Sequence, residues 1–131
     1  MIKAYTTILG GICFNLFTGN IMLWGNIANY VISYFHYLGD KNATNKMGMS
    51  VLPIGLFVCN MFYTAGTFMM KKYNIKSVMI FVSTILLSSI LMASYAKSLW
   101  FYMFCISFLF PAGIGMIYWI PLICAWEWFP D

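Results

Sequence analysis

Apolar positions along this chain do not alternate with polar ones; they run together in long blocks. Four blocks, about residues 7–37, 49–70, 77–96 and 99–127, are separated by short polar gaps at His36 to Met47, Lys71 to Lys76 and Ala96-Lys97-Ser98. About 20 apolar residues cross the hydrocarbon of a bilayer as a helix, so each block predicts one transmembrane helix. Backbone groups in lipid must bond within their own segment, and the period-2 pattern of a barrel strand is missing. The expected architecture is therefore all-α, a polytopic membrane protein with one bundle over residues 1–131. Met1-Ile2-Lys3 leads into an apolar run too long for a cleaved signal peptide, which makes the first block a retained span.

The polar residues inside the blocks are ordered too. At 100° per residue, Gly11, Asn15, Thr18, Met22, Asn26, Asn29 and Ser33 fall on one narrow stripe of the first span. An amide in hydrocarbon is costly unless it meets a partner or water. The stripe is therefore either interhelical hydrogen-bonding glue or the wall of a wet cavity. In the second span Gly55, Cys59, Phe62 and Gly66 form a packing face and Asn60, Thr64 and Thr67 a polar one, with a bend expected at Pro53. Ser83, Thr84, Ser88 and Ser89 of the third can bond back to their own helix. In the fourth, Ser107, Pro111, Gly115 and Tyr118 share a face, which predicts Tyr118 standing over a small-residue groove with its hydroxyl available, and Pro111 and Pro121 loosen the backbone on either side.

Composition then narrows the function classes. With 63% hydrophobic and only 8% charged residues there is too little polar surface to cover a soluble domain, so the lipid bilayer is the first partner. The net charge of +4 comes from seven lysines scattered over the gaps, a distribution that gives no support to nucleic-acid binding. Cys13, Cys59, Cys105 and Cys124 stand singly inside apolar runs and read as small buried side chains, so neither a metal site nor a cofactor is expected. His36, the single histidine, sits among Tyr34, Phe35 and Tyr37 in what reads as an interfacial aromatic belt, and no enzyme constellation surrounds it. Lys3, Lys71, Lys72 and Lys76 on one side against Lys41, Lys46 and Lys97 on the other favour both termini in the cytoplasm, and the sequon Asn42-Ala43-Thr44 then lies outside.

The segment Phe110-Pro111-Ala112-Gly113-Ile114-Gly115-Met116-Ile117-Tyr118-Trp119-Ile120-Pro121, closed by Trp128-Phe129-Pro130, resembles the fourth membrane helix of the major facilitator superfamily, most closely its oxalate/formate-antiporter and monocarboxylate-porter branch. Gly19 and Trp24 also match that branch, although Met22 stands where it has a tyrosine. Gly66 and the lysines of the Lys71–Lys76 gap match the superfamily's loop signature, but Met70 replaces its aspartate and Tyr73 its second glycine. The resemblance implies the first third of a twelve-helix secondary transporter of small organic anions, working by alternating access, with the remainder of the transporter as partner. In it the first and fourth helices line the central cavity, so Asn15, Thr18, Met22, Asn26 and Tyr118 are the expected substrate-binding residues. No span carries Lys or Arg, so the cation balancing a carboxylate is expected from the other half. A non-transporting membrane subunit or scaffold, and an oligomeric small transporter, are the alternative readings.

Overall fold

The computed structural model describes residues 2–40 and 43–128; Asn42 of the sequon and the Phe129-Pro130-Asp131 end lie outside them. The first block forms α1 (Ile2–Thr18), a 3-10 turn over Gly19–Leu23 and α2 (Trp24–Tyr37). The second is a single helix α3 (Asn45–Lys72), continuous through Pro53, and the third is α4 (Ile75–Ser94). The fourth begins as α5 (Leu99–Phe104), widens into a π turn over Cys105–Leu109, continues as α6 (Phe110–Ile117), breaks at Tyr118-Trp119 and resumes as α7 (Ile120–Trp128). Three helical segments, Asn45–Lys72, Ile75–Ser94 and Leu99–Cys124, are long and apolar enough to cross a membrane; the first span has a shorter apolar helix, Tyr5–Phe17, before its turn.

The interruptions have local causes. Glycine and asparagine at 19 and 20 are poor helix formers, and the chain tightens there instead of running unbroken over 7–37. Pro111 has no N–H for the carbonyl four residues back, and its ring crowds that turn. Widening the turn relieves the crowding, and the Phe110 N–H donates to the Cys105 carbonyl. Pro121 does the same to the turn before it, and α6 stops at Ile117.

Two apolar cores hold the spans together. One lies towards the α2–α3 connection, where Trp24, Ala28, Ile32 and Phe35 of α2 meet Val51 of α3 and Leu99 and Met103 of α5. Phe35 is only 2% exposed, packed on Tyr102 at 5.4 Å. It belongs to the core and not to the aromatic belt expected around His36, whereas Tyr34 and Tyr37 do face outward. The other core joins Cys59 of α3, Val78, Val82 and Leu86 of α4, and Phe110, Ile114 and Ile117 of α6. Glycine permits that contact: a Cβ on Gly115 would strike the Cys59 carbonyl, and one on Gly66 would strike the Met116 carbonyl. The face of Ser107, Pro111 and Gly115 is thereby buried, so the open groove expected beneath Tyr118 is closed by packing partners of α6. Cys59 and Cys105 are buried as expected, but Cys13 is exposed on α1.

Polar side chains of the middle spans mostly bond to their own helices: Asn60 Nδ2 donates to the Leu56 carbonyl (2.8 Å), Thr84 Oγ1 to Ile80 (2.8 Å) and Ser89 Oγ to Leu86 (2.7 Å). α1 packs along α7, so the described chain ends lie at the same end of the bundle.

Candidate functional site

The expected site residues separate into two groups. Asn15 and Tyr118 come together, lining with Thr7, Gly11, Trp119 and Pro121 a cleft of about 200 Å³ between α1 and the break in the fourth span. Two backbone features place them. Gly11 lets α1 approach Pro121 so closely that an added Cβ would sit 3.2 Å from the proline Cβ. Pro121 in turn ends α6 just before Tyr118, whose ring is half-exposed beside α1.

Tyr118 stands in an aromatic group. Its ring lies 5.2 Å from that of Tyr63 on α3 and 5.8 Å from Trp119, and Tyr63 is 6.4 Å from Trp119. These contacts hold the ring while the hydroxyl makes no hydrogen bond within the described residues. The cleft thus offers neutral polar groups, an amide, hydroxyls and an indole, around a small volume. Neutral donors can orient a carboxylate without adding charge to the membrane interior.

Met22 and Asn26 do not line this cleft. Met22 is 61% exposed in the 3-10 turn, and Asn26 is exposed on α2 together with Asn29 and Ser33. Thr18 ends α1, and its side chain lies outside the described ones. The buried face of α2 is the opposite one, Trp24, Ala28, Ile32 and Phe35, so the α2 part of the stripe, Asn26, Asn29 and Ser33, is not glue among the described residues. Asn26, Asn29 and Ser33 form no side-chain hydrogen bond within the described residues, in contrast to Asn60 on α3.

Thr7, Trp119 and Tyr63 belong to the site without having been singled out. Thr7 is legible as a backward extension of the stripe, four residues before Gly11. Trp119 and Tyr63 depend on the break and on the α3–α6 contact, which carry no periodic signal. Ser107, 4% exposed in the π turn, has a buried hydroxyl without a partner among the described residues, but it sits in the packed core and not in the cleft. Among the described residues no three His, Cys, Asp or Glu side chains gather as metal ligands would. No protein-family model, curated protein or solved structure matches this chain.

Proposed function

We propose that this chain is part of the first bundle of a major-facilitator-like secondary transporter of small organic anions. The observation that carries this reading is the Asn15–Tyr118 cleft, formed where an apolar helix breaks inside a membrane bundle. Interrupted helices in transporters line binding cavities, since irregular backbone survives at membrane depth only where protein or water satisfies it. The outward amide face of the first span has the same need for a wet cavity or a further bundle. In this reading an anion is oriented by Tyr118 and Asn15, its charge balanced by a cation from the remainder of the transporter. Both termini are cytoplasmic, and the His36 to Met47 loop is external.

The amide face also favours a second reading, a non-transporting subunit whose α2 docks on another protein's helix. Uptake separates the two. Cells expressing the complete transcript that contains this chain are expected to accumulate labelled oxalate, formate or lactate saturably, and Asn15→Leu to reduce that uptake at least several-fold. Absence of saturable uptake for all three anions, with the protein present in the membrane, would overturn the transporter reading. Orientation is tested by cysteines placed at Asn42 and Lys72 in a background lacking the native ones. An impermeant thiol reagent applied to intact cells is expected to label position 42 alone; labelling at 72 alone reverses the topology.

A further inference from the structure

The turn between α3 and α4 carries a feature that transport does not use. Lys71 and Lys72 end α3, Lys76 lies in the first turn of α4, and all three are exposed. Lys76 lines an open polar basin of about 710 Å³, together with Met70, Tyr73, Asn74, Ile75 and Ser77, and Lys71 and Lys72 stand on the adjoining end of α3. Beside it lies an apolar groove of about 330 Å³ lined by Met69, Tyr73, Ser77, Val78 and Phe81. Tyr73 and Ser77 belong to both, so basin and groove form one amphipathic depression. Lys72 Nζ is held 5.8 Å from the centre of the Tyr73 ring, at the shared wall. Asn74 begins α4 without capping it by its side chain, so the first amides of a 20-residue helix add positive potential to the same basin.

We propose that this depression binds one anionic phospholipid, with the phosphate among Lys72, Lys76 and Ser77 and an acyl chain along Val78 and Phe81. A soluble anion would use the basin and leave the groove empty; a zwitterionic lipid would use the groove but gain little from the lysines. Only a lipid with net negative charge uses both, and the site lies where two spans leave the membrane, at headgroup depth. The inference does not depend on the chain being a transporter.

Native mass spectrometry of the delipidated full chain tests it, with phosphatidylglycerol and phosphatidylcholine of identical acyl chains as probes. Wild type is expected to prefer phosphatidylglycerol, and the double variant Lys72→Gln, Lys76→Gln to lower that preference about thirty-fold, at roughly fivefold per lysine. Phe81→Ala is expected to weaken both lipids several-fold and keep the preference between them. A measurement on wild type alone guards against misfolded variants: raising the salt must erode the phosphatidylglycerol preference. The proposal is overturned if the lysine variant keeps the wild-type preference, if Lys46→Gln, Lys97→Gln loses as much of it, if the preference ignores salt, or if glycerol 3-phosphate displaces the lipid.

Discussion

The two ends of this bundle are closed by different physics. At the end bearing the α2–α3 connection the joints are directional. Gly39, at φ +88°, ends α2 in a Schellman turn, with the Asp40 N–H donating to the Phe35 carbonyl (3.1 Å) and the Gly39 N–H to His36 (3.1 Å). That turn delivers the Asp40 carboxylate to the start of the fourth span, where Oδ2 accepts from the Leu99 N–H (2.9 Å) and the Ser98 hydroxyl (3.2 Å). Trp24 Nε1 adds a buried bond to the Gly48 carbonyl at 2.7 Å. From mid-span towards the other end the joints are contacts between backbones, Gly115 on Cys59 and Gly66 on Met116, and beside them α1 leaves the cleft of Asn15 and Tyr118. Hydrogen bonds fix one register and resist small slips, whereas glycine contacts fix a distance and tolerate sliding. The Asp40 end should therefore resist slipping more than the cleft does.

The largest expected effect lies at the glycine end. Gly115→Ala puts a methyl into the Cys59 carbonyl, a backbone atom that can yield only if α3 moves, and should cost about 3 kcal/mol. Gly113→Ala adds the same methyl opposite Leu86 Cδ2, 2.7 Å away at the end of a flexible side chain, and should cost about 1 kcal/mol. Reversible unfolding of both variants in mixed micelles checks the order; equal losses would mean that the α3–α6 contact is not set by backbone approach.

Much of this contrast was legible in the residues, and the illegible part has a common cause. The packing face Gly55, Cys59 and Gly66 and the self-bonded hydroxyls of α4 follow from helical spacing alone, because helix faces are local. The π turn does not follow, since a kink, an unwound turn or a π turn would each relieve Pro111 equally well. The apolar pattern runs on through Gly19–Leu23, so periodicity hides the 3-10 turn. Phe35 looked interfacial among its tyrosine neighbours, and Tyr102, its partner, is far away in sequence. The Asp40 cap spans 59 residues. The near half of the site was visible as a stripe only from Gly11 to Asn15, without Thr7, and its restriction to Asn15 and Tyr118 depended on Pro121 ending α6 where α1 comes close.

An intermediate effect is expected at the directional end. Asp40→Ala removes the acceptor for two donors and the negative charge at the first turn of the fourth span, a loss of about 2 kcal/mol. Asp40→Asn keeps one neutral acceptor oxygen and should recover roughly half of it. Thermal unfolding in detergent resolves both. If Asp40→Ala unfolds with the wild type, the hold on this end must be sought in the Trp24–Gly48 bond.

The smallest effect on stability should come from Tyr118→Phe, which keeps the ring contacts with Tyr63 and Trp119 and removes only a hydroxyl that has no hydrogen bond within the described residues. Its unfolding free energy should stay within about 0.5 kcal/mol of wild type. If the cleft orients an anion, as proposed, the same variant should weaken its binding by about 1 to 2 kcal/mol, the cost of losing one hydrogen bond to a charged group. Phe104→Leu serves as the control on the same span: its ring stacks on Phe108 at 5.5 Å, its residue faces outward, and it is absent from the cleft. It should leave affinity unchanged while costing slightly more stability than the tyrosine variant. The pair inverts stability against affinity, which general disruption of the bundle cannot do. Parallel losses in both quantities would make Tyr118 a packing residue, and the cleft would then be a seam between helices rather than a binding surface.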